Sequence, residues 1–113
     1  LEELTHQGFL VIGSGNITHN LGDLRRAAMS GGQTPTYVQV FADWVEDQLR
    51  TKNVQQLLDY RQHSREGVQS HPSEDHLLPL FVAIGAAGAD ATANAFFRGI
   101  SSYVIAMDGY TFS

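Results

Sequence analysis

The chain has 113 residues, of which 42% are hydrophobic and 17% are charged, and its formal net charge is −5. This length and composition predict one small globular domain. The acidic balance leaves no basic footprint for nucleic acid, so we exclude a nucleic-acid partner. Because there is no cysteine, any bound metal must be held by nitrogen and oxygen ligands.

The sequence also argues against a membrane segment. Its longest apolar run, residues 77–89, is interrupted by Pro79 and is shorter than the roughly 20 residues that a helix needs to cross a bilayer. No basic segment typical of a signal peptide opens the chain. We therefore expect a soluble, cytoplasmic protein with no membrane partner. Residues 1–6 have the pattern of a last helical turn, so we expect the chain to begin inside a larger fold.

The first predicted strand is an apolar run over residues 9–12, which lies between Gly8 and Gly13. Continuous apolar runs of this kind are typical of strands buried on both faces, so we predict a central parallel strand. A loop over residues 14–20 follows it. Residues 22–35 predict a long connection with one helical turn around residues 23–29.

The middle of the chain predicts helices. Apolar residues from Tyr37 recur at steps of three and four, which indicates an amphipathic helix, and a second, shorter helix follows over residues 54–61. Residues 62–70 are polar and predict a loop. A further helix over residues 76–87 should begin at a Ser73 or Asp75 cap and end at Gly88. Its interior is apolar or small on every side, so we expect burial all round.

The end of the chain predicts a strand or hairpin. Residues 102–107 alternate weakly and lead into the turn dipeptide at Asp108, after which the chain continues to Phe112. Taken together, the elements predict an α/β fold with a central, mostly parallel or mixed sheet flanked by helices.

His19 is the first candidate for chemistry, because it follows the predicted buried strand. Loops at the carboxyl ends of strands surround the ligand crevice in open α/β sheets. A histidine placed there is a candidate base, acid or metal ligand, and its ordinary pKa near 6.5 suits proton exchange. The structural alternative is a loop histidine that bonds a local carbonyl.

His76 is the second candidate, at the start of a predicted helix. The positive end of the helix dipole disfavours the protonated ring, and a metal requires the neutral one. Glu74 and Asp75 lie beside it, and three roles are open for these carboxylates: to bind the metal, to hydrogen-bond a metal ligand, or simply to compensate the helix dipole. His71, which Pro72 holds extended, either lines the same pocket or is an exposed loop residue. Together, His19 and His76 suggest a metal site built at loop ends.

Gly13 and Gly15 precede His19. The segment lacks the third glycine of the dinucleotide fingerprint and the Gly-Lys-Ser/Thr of a phosphate loop, so we reject a nucleotide site. These glycines instead allow a sharp turn and a close approach to a substrate.

Two segments carry a family resemblance. They are Ser-Gly-x-x-x-His-Asn-Leu over residues 14–21 and His-Pro-x-x-x-His-x-x-Pro-Leu over residues 71–80. Their order resembles the C-terminal half of the LigB-type extradiol ring-cleaving dioxygenases, most closely the 4,5-DOPA extradiol branch. The resemblance covers nearly the whole chain and implies that residues 1–113 are the C-terminal part of one catalytic domain.

The resemblance implies a mononuclear non-haem metal, iron(II) with zinc as an alternative, that binds a catechol substrate beside O₂. By the same resemblance, His19 matches the acid/base histidine, which some descriptions place on or near the metal, and His76 matches a metal ligand. The substrate pocket and its surroundings would then include Ser14, Asn20, His71 and Glu74.

The resemblance also implies what this chain lacks. The related protocatechuate-type enzymes have a glutamate where His76 stands, so the ligands here would be neutral and the metal would keep more positive charge. The family's other two histidine ligands belong to its N-terminal half, so this piece alone is expected to be inactive. A non-enzymatic binding module without a functional metal site is the alternative function, and an oligomer is compatible with either.

Overall fold

The computed structural model describes residues 1–113 and contains seven helices and four short strands. The helices are α1 (Glu2–His6), α2 (Leu21–Met29), α3 (Thr36–Arg50), α4 (Val54–Leu58), α5 (Tyr60–His63), α6 (Arg65–Ser70) and α7 (Leu78–Ala87). The strands are β1 (Ala93–Phe97), β2 (Ile100–Ser101), β3 (Ile105–Ala106) and β4 (Gly109–Phe112). No helix is both long and apolar enough to cross a membrane.

Helix α3 is the centre of the hydrophobic core, as its amphipathic pattern predicts. One face of it is buried through Val38, Phe41, Val45 and Leu49. Helix α6 packs against it, as do β1 and β3. The other buried members of this core come from both sides of α3 in the sequence and include Ile17, Leu57, Tyr60, Leu77, Val104 and Ala106.

The strands form two separate antiparallel pairs. β1 pairs with β4, with Ala93 opposite Phe112, and β2 pairs with β3, with Ile100 opposite Ala106. A strand at the end of the chain, β4, is therefore confirmed. The hairpin predicted across Asp108 is wrong, because β3 and β4 pair with different strands. The central parallel or mixed sheet is not confirmed, since neither pair contains a parallel strand.

The predicted strand over residues 9–12 is not a strand here. Its residues are not paired in either sheet, and the side chains of Leu10 and Ile12 are 84% and 77% exposed. A strand that is apolar on both faces needs neighbours on both sides and cover above and below. None of the 113 residues supplies those neighbours, so residues 9–16 have no regular secondary structure and are mostly exposed; they are called the extended segment below.

The helix predictions are mostly confirmed, with some corrections. The cap predicted at Ser73 or Asp75 is wrong, since α7 begins at Leu78 and Leu77 precedes it without a side-chain cap bond. The helix predicted over residues 54–61 is divided into α4 and α5. The loop over residues 62–70 is wrong: α6 forms there because the Ser64 side chain accepts a bond from the Gly67 amide at 3.0 Å, and because Gly67 packs closely on the rings of Phe41 and Tyr60. The burial of α7 on all faces is also wrong, since its outer face is exposed. Its predicted end at Gly88 is confirmed.

Candidate functional site

The segment that carries His19 is anchored by the two residues before it. Ile17 and Thr18 are buried, and the Ile17 amide donates to the carbonyl of Ala106 at 3.0 Å. The Thr18 hydroxyl donates to the Val104 carbonyl and accepts from the Ala106 amide, both at 2.7 Å. These bonds tie the His19 backbone to the β2–β3 hairpin.

A second set of bonds joins this segment to the chain around His76. The Asn16 amide donates to the His76 carbonyl at 2.8 Å, and the His19 amide donates to the Ser70 carbonyl at 3.0 Å. Just beyond His76, Leu77 is fully buried and its amide donates to the Glu74 carbonyl at 2.9 Å. Two distant parts of the sequence therefore run side by side at this place.

The imidazoles of His19 and His76 stack on each other. Their centroids are 3.5 Å apart and their planes differ by 18°. Both side chains are partly exposed, so the pair is accessible. Burial, and after it the charge of the neighbouring His76, lowers the pKa of His19 below its ordinary value of 6.5. His19 is therefore neutral at pH 7 and can accept a proton.

A carboxylate stands beside the stack. The Oδ2 atom of Asp75 lies 3.5 Å from Nε2 of His76. The negative charge of Asp75 favours the protonated form of His19 and so opposes part of the lowering of the His19 pKa by burial.

His76 also lines a cavity of about 690 Å³. The cavity lies between the extended segment, α7 and β4, and most of its wall is apolar, including Phe9, Leu80 and Tyr110. His19 does not line this cavity. The two imidazoles of the stack therefore have different surroundings.

Gly13 and Gly15 allow the extended segment to approach the start of α7. A Cβ atom on Gly15 would overlap the carbonyl oxygen of His76, and one on Gly13 would overlap that of Pro79. The sequence predicts a close approach of these glycines to a substrate, whereas in this structure they approach the backbone of residues 76–79.

Of the remaining candidate residues, two are exposed and two hold backbone groups through their side chains. Ser14 and Glu74 are exposed. Asn20 caps α2 by accepting from the Asp23 amide at 3.0 Å, and its Nδ2 donates to the Gln69 carbonyl at 2.7 Å. His71 is fully buried, and its Nε2 bonds the Ile17 carbonyl at 2.6 Å. Thr18 and Ser70, which sequence reasoning did not single out, hold the His19 backbone.

The 113 residues do not form a complete metal site by themselves. No group of three or more metal-ligating side chains is present. A neutral imidazole has one nitrogen with a free lone pair, and that lone pair lies in the ring plane. Because the planes of His19 and His76 are nearly parallel and 3.5 Å apart, the two rings do not converge on one ion. The arrangement fits a single neutral ligand from this chain, with the other ligands supplied from elsewhere.

Comparison with known proteins shows the family of this chain. All of residues 1–113 match the family described as the catalytic LigB subunit of aromatic ring-opening dioxygenase. This chain belongs to that family, and within it the chain is similar to the 4,5-DOPA extradiol dioxygenases.

Three plant relatives carry the name 4,5-DOPA dioxygenase extradiol. The protein from Mirabilis jalapa is 35% identical over 88 residues, which are 78% of this chain and 32% of that protein. The Beta vulgaris protein is 33% identical over 107 residues, or 91% of this chain and 39% of that protein. The Portulaca grandiflora protein is 33% identical over 99 residues, or 87% and 35% of the two chains. The chain thus spans about a third of the length of these relatives, and no solved structure matches it.

Proposed function

We propose that this chain is the C-terminal part of an extradiol dioxygenase domain that opens the ring of a catechol-type aromatic with O₂. The observation that carries the proposal is the stack of His19 on His76, which brings a neutral base into contact with a potential metal ligand. Family membership and the similarity to 4,5-DOPA extradiol dioxygenases support it.

His76 is proposed as the ligand and His19 as the proton acceptor. His76 faces the cavity, while the lowered pKa of His19 keeps its ring unprotonated at neutral pH. A neutral His19 can accept the proton that a catechol hydroxyl gives up on binding. Since the two rings are in contact, the positive charge that His19 then carries lies next to His76, and the charge of the Asp75 carboxylate favours it.

The expected metal is iron(II), with zinc as the alternative. Nitrogen ligands suit either ion, and the absence of cysteine excludes a thiolate site. When bound, the metal would supply Lewis acidity toward the catechol and, in the case of iron, electron transfer to O₂. Ser14 and Glu74 are proposed near the substrate because both are exposed on the two segments that meet at the stack.

The other ligands are proposed to come from polypeptide outside these 113 residues. The exposed apolar segment over residues 9–12 is a suitable partner for further strands, which would complete the mixed α/β sheet. Such strands would also cover the apolar cavity beside His76. This arrangement explains why the donor set of the chain is incomplete.

The test uses a protein that contains the complete domain. We expect O₂ uptake with a catechol and a coloured ring-opened product, together with stoichiometric metal. The incomplete donor set favours one second candidate, a binding module of the same fold without a metal. That alternative predicts no metal by elemental analysis and no O₂ uptake in the complete domain.

A further inference from the structure

We propose that His71 is a positioning residue, whose buried imidazole fixes the backbone that presents His19 to His76. The inference rests on the proposed function, because it assigns a role toward the same pair of histidines. His71 does not touch the stack. It acts through the chain just before His19.

The first step of the argument is the hydrogen bond that His71 makes. Its side chain is fully buried, and its Nε2 lies 2.6 Å from the carbonyl oxygen of Ile17. A carbonyl oxygen can only accept, so Nε2 must carry the hydrogen and donate it. This bond selects one tautomer of His71 and holds the peptide group between Ile17 and Thr18.

The second step is the bond made by the neighbouring residue. The carbonyl of Ser70 accepts from the His19 amide at 3.0 Å, so Ser70 and His71 hold the peptide groups on the two sides of Thr18. Fixing both groups fixes the position of the His19 Cα atom. The backbone beyond His19 is held by Asn20, whose side chain accepts from the Asp23 amide and whose carbonyl accepts from the Leu24 amide. The imidazole of His19 is thereby directed at His76.

The third step is the way the His71 ring is itself held. Phe41 and Tyr60 pack edge-on around it, with centroids 5.9 and 6.1 Å away and interplanar angles of 73° and 79°. The Arg61 side chain donates to the His71 carbonyl at 2.8 Å. The ring therefore cannot turn away from Ile17 without disturbing the core around α3.

The last step compares histidine with an apolar residue in this place. The Nδ1 atom of His71 is buried without a hydrogen-bond partner in the protein, which is unfavourable for folding. A phenylalanine would fill the same aromatic pocket without that penalty, but it would leave the Ile17 carbonyl unbonded. What histidine adds here is the bond to Ile17, and that bond orients His19.

The test compares three variants of the 113-residue chain by NMR. His71→Phe keeps an aromatic ring but removes the donor, whereas His71→Gln replaces the ring with a side chain whose amide can still donate to Ile17. Tyr60→Phe is the matched control, because it alters the same aromatic cluster and leaves the Ile17 bond intact. The readouts are the nuclear Overhauser effect between the rings of His19 and His76 and the carbonyl ¹³C shift of Ile17.

We expect His71→Phe to weaken the nuclear Overhauser effect between the His19 and His76 rings severalfold and to shift the Ile17 carbonyl ¹³C signal. The amide chemical shifts of helix α3 should stay unchanged. His71→Gln should restore both readouts, and Tyr60→Phe should leave them unchanged. In the complete domain, His71→Phe should lower kcat by about tenfold to a hundredfold with little change in KM, since a shift of about 1 Å in a catalytic group has this scale of effect.

An unchanged His19–His76 effect in His71→Phe would overturn the proposal. If that variant does not fold, His71→Asn replaces it, because its shorter amide does not reach Ile17; failure of both to fold would make His71 structural and also overturn the proposal. The NMR readouts do not depend on activity. A complete domain without dioxygenase activity would therefore refute the proposed function separately.

Discussion

Asn16 donates its backbone N–H to the carbonyl oxygen of His76 at 2.8 Å. This bond joins the extended segment to the start of α7, and three residues later the His19 ring reaches the His76 ring. The position of the stack thus depends on how closely two backbones approach each other. Gly15, which lies next to Asn16, determines that approach.

Gly15→Ala tests this relationship. The added Cβ overlaps the His76 carbonyl oxygen, so the two segments must separate. We expect a loss of about 1–3 kcal/mol in the free energy of unfolding, as for other overpacked sites. The matched control is Gly85→Ala, which adds a Cβ to open space within α7 and should stabilise the chain by about 0.5–1 kcal/mol. Urea denaturation of both variants measures the difference, and equal midpoints would contradict the close approach.

Asn20 is expected to act through its cap. Asn20→Ala removes the acceptor for the Asp23 amide and the donor to the Gln69 carbonyl, so we expect a loss of about 0.5–2 kcal/mol in unfolding free energy. Asn53→Ala is the control, since Asn53 precedes α4 without a side-chain cap bond and its loss should matter little. Thermal unfolding distinguishes the two. Equal destabilisation by both substitutions would remove the capping role of Asn20.

The stability of the chain should fall at acidic pH. Burial lowers the pKa of both His19 and His71 below 6.5, and the neighbouring His76 lowers that of His19 further. Below pH 6.5 the unfolded chain therefore binds more protons than the folded chain. The stability that the two neutral histidines allow is fully present above that pH and is lost as the pH falls.

Urea midpoints at about pH 8 and about pH 5.5 measure this effect, because the two values bracket the ordinary pKa of histidine. The double variant with His19→Gln and His71→Gln lacks both groups and should show a clearly smaller difference between the two pH values. If the double variant keeps the full pH dependence, these two histidines are not its source.

Some of this structure follows from local sequence and some does not. Helix α3 was predictable because its apolar residues repeat with helical spacing, and the end of α7 was predictable from Gly88. Helix α6 was not, since its residues show no apolar periodicity and it depends on the Ser64 cap and on packing against Phe41.

The candidate site, too, was predictable from local sequence only in part. The residue types and their places at loop ends single out His19 and His76, which the structure brings into contact. The burial of His71 depends on the Ile17 carbonyl, which comes from a distant part of the chain, so no local pattern around His71 indicates it. The strand predicted over residues 9–12 depends on neighbours that the 113 residues do not contain.

The central claim is that His76 binds the metal and His19 moves the proton. Metal content and turnover of His76→Ala and His19→Ala in the complete domain test it most directly, with His63→Ala, an exposed histidine outside the stack, as the control. We predict that His76→Ala loses both metal and O₂ uptake. His19→Ala should keep its metal and lose about 10²–10⁴-fold in kcat, the usual contribution of a general base. Full metal content and undiminished turnover in His76→Ala would contradict the account.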